Sequence, residues 1–346
     1  MVRKKLLNHS KRSRLKKGKE RKIKNLLNKR SYIYKISLIF VLSLIYLFFY
    51  LIIYIKLILK FQKRQEKYYY SQRKIEYPYY DESNLVTFKD KINWLLIHDT
   101  NRLKTKCADK VLVHDYSKKK IGKDICNKIF KIYNNVEEIN LNDLPEKFVL
   151  KANHGSGYNI IVDNKNNFNI EEAKEKIKNW MTIDYGKACR EFHYSFIKRK
   201  IFAEEFIGNN LKNFKFLCYN GKPKYVYVSI NDNGHKYRNF YDMNWTFINF
   251  HCLSEPHPTY KYEKPKHFEL MKEYAKKLSY DFKFVRVDLY EIENEVRLGE
   301  LTFTPMGGIF YCTKKEDEIE LGKDIETKKN FNDYFIYFLG KLGYYD

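Results

Sequence analysis

Apolar and polar positions follow several distinct rhythms along this chain. Residues 36–55, ISLIFVLSLIYLFFYLIIYI, run for about twenty positions without a charge, a length that spans a bilayer as a helix. A core helix would be shorter and would keep a polar stripe, and the basic region ahead is too long for a signal peptide. A single-pass N-terminal anchor is therefore expected over residues 36–60, between a tail at 1–35 and a juxtamembrane linker at 61–84. Residues 85–346 carry the rhythms of a folded domain. Residues 85–146 predict mostly helix, with apolar spacing at Ile125, Ile129 and Ile132 marking one over 123–133. The stretch 148–162, FVLKANHGSGYNIIV, reads as strand, Gly-rich turn, strand. Asn169 caps a helix through Trp180, with Glu171 and Glu172 in its first turn, and a further helix ends near Lys198. Residues 201–207 read as a strand, and 213–219 with 223–230 as a hairpin about Asn220-Gly221. Residues 267–279 form an amphipathic helix. Residues 284–290 and 295–303 form a hairpin turning at Glu293-Asn294, and 332–339 a terminal helix stopped by Gly340. The class is α+β with mainly antiparallel hairpins.

Charge sharpens this division. The chain has 346 residues, 66 basic and 42 acidic side chains and a net charge of +24. Residues 1–35 hold about 15 of the basic residues against the single acid Glu20, whereas residues 81–346 carry only about +5. The excess thus belongs to a tail, and a tail directly before an apolar span points to a lipid surface and not to nucleic acid. Six cysteines, at 107, 126, 189, 218, 252 and 312, form no C-x-x-C and no zinc-finger spacing. Most are expected to be buried free thiols, which suits a reducing compartment, while their even number leaves disulfides open.

Two hairpins carry candidate chemistry. The small tip Gly155-Ser156-Gly157 can lie over phosphates and offer backbone N–H groups, with Lys151 supplying a point charge from the incoming strand. His154 in the same tip is expected to be solvated. In the last hairpin, FVRVDLY and VRLGELTFTP, alternation puts Val285, Val287 and Leu289 on one face and Arg286, Asp288 and Tyr290 on the other. Asp288 and Glu300 are about equally far from the turn, so they converge beside Arg286. Paired carboxylates repel unless a cation lies between them, and hard oxygen donors favour Mg²⁺ bridging phosphates.

With Ala108-Asp109-Lys110, the run from Leu144-Pro145 to Gly157, Ala203-Glu204-Glu205, Phe214-Lys215-Phe216, Val285-Arg286-Val287-Asp288 and Gly299-Glu300-Leu301-Thr302-Phe303 in this order, the chain resembles the ATP-grasp fold. More closely, it resembles the TupA-like (teichuronopeptide biosynthesis) ATP-grasp family over roughly residues 90–325. The resemblance implies ATP and Mg²⁺ as cofactors and assigns roles. Lys110 and Lys151 are the nucleotide lysines, and Gly155, Ser156 and Gly157 the phosphate lid. Glu204 or Glu205 faces the adenine edge, with the backbone near Phe206 and Ile207 completing the hinge. Lys215 is a further phosphate lysine, Arg286 steadies the transferred phosphoryl group, and Asp288 and Glu300 ligate Mg²⁺. Thr302 stands where many ATP-grasp enzymes have Asn, and its hydroxyl can still ligate the metal. Asn213-Phe214-Lys215-Phe216 stands for the usual Asp-Tyr-Lys-Phe, and His114-Asp115-Tyr116 also departs from the family pattern.

The resemblance implies a membrane-anchored, ATP-dependent carboxylate–amine ligase working through an acyl phosphate, joining small or glycan-linked acids and amines in cell-surface polysaccharide assembly. The Thr304-Pro305-Met306-Gly307-Gly308 loop is expected to border the acceptor pocket. A glycosyltransferase or other transferase of glycan assembly is the alternative, separated by which nucleotide binds. A non-catalytic anchored module is a third reading, and Asp288→Ala would then change nothing. The basic tail predicts an internal N-terminus and an external domain, but ATP is plentiful inside, and the seven basic residues from Lys56 to Lys74 blunt the bias. The sequon Asn244-Trp245-Thr246 would permit lumenal glycosylation.

Overall fold

The computed structural model describes residues 37–56 and 84–328, apart from 100, 102, 190, 209–211, 258 and 293. The tail, the linker and the 332–339 helix expected from the sequence lie outside the described residues. One unit contains helix α1, Ser37–Lys56, which is long and apolar enough to cross a membrane (mean hydropathy 2.7, none of it buried).

The other unit is built on two antiparallel sheets. It opens with α2 (Phe88–His98), started by a reciprocal cap between Thr87 and Asp90, followed by α3 (Leu103–Ala108) and α4 (Val113–Ile121). The strands are β1 (Ile129–Tyr133), β2 (Phe148–Ala152), β3 (Asn159–Val162), β4 (Ile201–Glu205), β5 (Asn213–Tyr219), β6 (Lys222–Asp232), β7 (His235–Asp242), β8 (Phe247–Ile248), β9 (Phe284–Ile292) and β10 (Glu295–Thr302). Among them run α5 (Ile170–Thr182), α6 (Tyr185–Ala188) and α7 (Phe268–Ser279), and α8 (Lys315–Gly322) follows β10. The smaller sheet has the order β1-β4-β2-β3, and the larger β10-β9-β5-β6-β7-β8.

Period-two alternation explains how the larger sheet is covered on both faces. Phe214, Phe216, Val226, Val228, Val285, Val287 and Leu289 pack with Phe268, Met271, Ala275 and Leu278 of α7. The opposite residues Leu217, Tyr219, Tyr225, Tyr227 and Phe284 pack with Phe88, Ile92 and Leu95 of α2. A third core joins the smaller sheet to α5 through Phe148, Leu150, Ala203 and Ile177.

The expected helix over 123–133 is a correction: Ile129–Tyr133 is strand β1, paired antiparallel with β4. The spacing of Ile125, Ile129 and Ile132 suits a helix face, but the β-branched residues sit equally well on a pleated edge, and pairing with the buried β4 decides. Between 183 and 198 the chain forms only the short α6 and a 3₁₀ segment, Phe192–Phe196. Strands β7 and β8 and helix α8 were not expected. The cysteines divide: Cys107 and Cys218 are buried free thiols, Cys126 and Cys189 are half-buried and free, and Cys252 is joined to Cys312.

Candidate active site

The antiparallel pairing of β9 and β10 assembles the acidic centre. A register shift at Gly299 sets Glu300 opposite Asp288, and Lys215 of β5 lies opposite Asp288 on the other side. Arg286 lies two residues before Asp288 and so shares its face. Its Nε donates to Asp288 Oδ1 at 2.6 Å and its Nη2 to Asp288 Oδ2 at 2.8 Å and Glu300 Oε1 at 2.6 Å. Lys215 pairs with Asp288, and Thr302 Oγ1 donates to Glu300 Oε1 at 2.9 Å. Burial alone would raise the pKa of Glu300, but Arg286, Lys215 and Lys110 hold it down at about 2. The oxygens of Asp288 and Glu300 are hard donors on neighbouring strands, an arrangement that fits Mg²⁺.

A cleft of about 250 Å³ opens between the sheets, lined by Lys110, Lys151, Ser156, Gly157, Glu204, Lys215, Asp288 and Glu300. Lys151 pairs with Glu204 across β2 and β4. The Asp-Lys pair is held by the turn that follows β2. Asp109, 3% exposed, caps the turn into α4 by accepting from the backbone N–H of Val111 and Leu112, and accepts from Asn153 Nδ2 at 2.9 Å. The Lys110 backbone N–H donates to Asn153 O at 3.1 Å, and its ammonium donates to Gly155 O. Burial lowers the pKa of Lys110, against the pull of Glu300.

The tip of the β2–β3 hairpin places Gly155 at φ +86° and Gly157 at φ +78°, left-handed geometry that glycine accepts without strain. His154 corrects the solvated reading. It is 1% exposed, its Nε2 donates to Trp180 O at 3.1 Å, and burial pulls its pKa down to about 4. Of the two glutamates on β4, Glu204 lines the cleft, whereas Glu205 pairs with Arg297 at 2.6 Å and does not.

A second cavity of about 450 Å³ adjoins the first through Ser156 and Glu300. Its lining includes Arg286 and Thr302 as well as Thr304, Met306 and Gly307 of the expected loop, with Tyr185, Tyr194 and Glu191 facing them. Sequence reasoning missed Asn153, Tyr185 and Glu191. Asn153 is a polar residue between a strand and a glycine turn, which is a weak signal. Glu191 and Tyr185 lie in an aperiodic stretch and have none.

A sequence model of the family described as TupA-like ATPgrasp matches residues 90–326. No curated protein matches the chain. Among solved structures, D-alanine–D-alanine ligase from Helicobacter pylori is similar at 17% identity, with 64% of this chain and 61% of that chain covered and a TM-score of 0.34. The Bacillus anthracis D-alanine–D-alanine ligase complexed with ATP gives 13%, 64%, 64% and 0.36. N5-carboxyaminoimidazole synthase from Aspergillus clavatus, with ADP and 5-aminoimidazole ribonucleotide, gives 12%, 57%, 44% and 0.35. This chain spans less than two thirds of the length of each.

Proposed function

Because the chain belongs to the TupA-like ATP-grasp family, we propose that it is an ATP-dependent carboxylate–amine ligase. In this reading α1 anchors it to a membrane, and the acid or amine is carried on a cell-surface polymer. One observation carries the catalytic part: three lysines and three carboxylates line one cleft, and that cleft opens through Ser156 and Glu300 into a second cavity.

An amide cannot form directly from a carboxylate, because hydroxide is a poor leaving group. Phosphoryl transfer from ATP makes an acyl phosphate, and the enzyme's task is positioning and charge neutralisation. Lys110 and Lys151 hold the α and β phosphates beneath the Gly155–Gly157 lid. Mg²⁺ held by Asp288 and Glu300 would supply charge neutralisation for the transferred group. Arg286 reaches the junction of the two cavities and steadies that group, with Lys215 beside it, and Glu204 faces the adenine edge. The acid then lies at the junction, with the acceptor amine in the second cavity.

The test is calorimetric titration of ATP and Mg²⁺ into the detergent-solubilised full chain and its Lys151→Ala variant. Loss of a charge-assisted contact removes about 1.5–3 kcal/mol, so the variant should bind at least about tenfold more weakly. Indifference to ATP together with binding of a nucleotide sugar would overturn the ligase in favour of a glycan transferase. Alkaline extraction of membranes tests the anchor: release of the chain into the soluble fraction would refute it.

A further inference from the structure

The second cavity holds a carboxylate that the nucleotide chemistry leaves unused. Glu191 is 7% exposed and lines this cavity with Arg286 and Glu300. Its Oε1 accepts from Thr304 Oγ1 at 2.6 Å. Tyr185 of α6, Tyr194 of the following 3₁₀ segment, Arg286 of β9, and Glu300 and Thr304 on and after β10 line the same cavity, and Lys110 before α4 acts on Glu191 from farther off by charge. Arg286 is already committed to Asp288 and Glu300, and among the described residues no cation forms an ion pair with Glu191. A buried carboxylate without a counter-ion is costly, and such groups mark places where a ligand brings the missing charge.

We propose that Glu191 receives the acceptor: its carboxylate binds the ammonium of a primary amine and takes a proton from it. This rests on the ligase reading and names the acceptor's class. Tyr185 walls the cavity, and Met306 and Ile309, 54% and 45% exposed, stand at its mouth. The acceptor is therefore an amine on an apolar or flat body. One N–H bond of the ammonium breaks and its proton goes to a Glu191 oxygen, which leaves a lone pair on nitrogen. That pair forms the C–N bond at the acyl phosphate carbon. The C–O bond to phosphate breaks and its electron pair leaves with inorganic phosphate, which also takes the second nitrogen proton. Burial pushes the Glu191 pKa up to about 7, against the Thr304 hydrogen bond, so the carboxyl can both take and release a proton near neutrality.

The experiment compares two nucleophiles in the full chain. Hydroxylamine is unprotonated at neutral pH and needs no base, whereas benzylamine is protonated and needs one. A panel of amino acids and sugar acids is screened for ADP release with hydroxylamine, and the best acid is then used with each amine. Glu191→Gln preserves size and an acceptor for Thr304. It should keep hydroxamate formation within about threefold and lose benzylamide formation about 100-fold, the scale of general-base catalysis. Glu191→Asp, which restores a carboxylate, should recover part of the loss. Equal losses with both amines, or none, would overturn the role of Glu191 while the ligase stands. No ADP release from wild type with any acid would remove the ligase reading and the assignment together. Melting temperature and Mg²⁺–ATP binding of each variant show that fold and nucleotide site are intact.

Discussion

Arg286 donates to both oxygens of Asp288 and to Glu300, and Asp288 is fully buried. Two carboxylates facing each other on paired strands would repel. The guanidinium fork suits them because it is planar and presents several donors at once. Removing one member of such a buried set leaves an uncompensated charge and costs about 3–5 kcal/mol. Arg286→Ala should therefore lower the melting temperature by about 6–20 °C. Arg286→Ala combined with Asp288→Asn removes the stranded charge and should recover part of that loss. Differential scanning calorimetry of both variants measures this, and a double variant no more stable than the single one would refute the account. Thr302 is a smaller member of the group. Its hydroxyl donates to Glu300, so it orients the carboxylate even where it touches nothing else.

The β2–β3 hairpin shows the same economy at the scale of an element. A Cβ on Gly155 would stand 2.5 Å from the Tyr185 ring, whereas one on Gly157 would meet nothing within 4 Å. Both glycines have positive φ, so both substitutions strain the backbone. Only Gly155→Ala must also push Tyr185, which lines the second cavity. Gly155→Ala should thus weaken Mg²⁺–ATP binding about tenfold or more and impair amine use, with Gly157→Ala milder in both, as titration and turnover would measure; equal effects would separate the hairpin tip from Tyr185. Much of this element is legible in the sequence. Alternation and a short turn suffice to bring Asp288 and Glu300 near one another on paired strands, but only the register shift at Gly299 sets them opposite; a Lys before a glycine tip suffices to find the β2–β3 hairpin. Other parts are not. The apolar spacing of Ile125, Ile129 and Ile132 fits a helix and a strand alike, and only β4 chooses. Neighbouring Glu204 and Glu205 are equivalent in sequence, and pairing turns one to the cleft and one to Arg297. Glu191 meets Thr304 across 113 residues, and Cys252 meets Cys312 across 60, separations at which no local pattern operates.

Across the whole molecule, buried titratable groups tie stability to pH. His193, 7% exposed, is pushed down to about 3 by burial with Lys104 adding, and His154 down to about 4. Each is lowered below its unfolded value near 6.5, so each contributes stability above that pH and loses it as pH falls toward the folded value. Between pH 7 and pH 5 this amounts to about 2 kcal/mol apiece. Glu191 has the opposite sign: its pKa is raised to about 7, so its contribution is full below about 4.5 and fades as pH rises through 7. On acidification it returns about as much as one histidine loses. The net is a loss of about 2 kcal/mol and a fall of about 4–8 °C in melting temperature from pH 7 to pH 5. Melting curves of the full chain against pH test the balance through slopes, which are insensitive to any uniform loss of packing. His193→Asn should flatten the curve and Glu191→Gln should steepen it. A wild-type curve flat over this range, or slopes unchanged in both variants, would mean that these groups do not stay buried in solution. The Glu191→Gln slope also bears on function, because the burial that raises its pKa is what would equip it to exchange a proton with an amine.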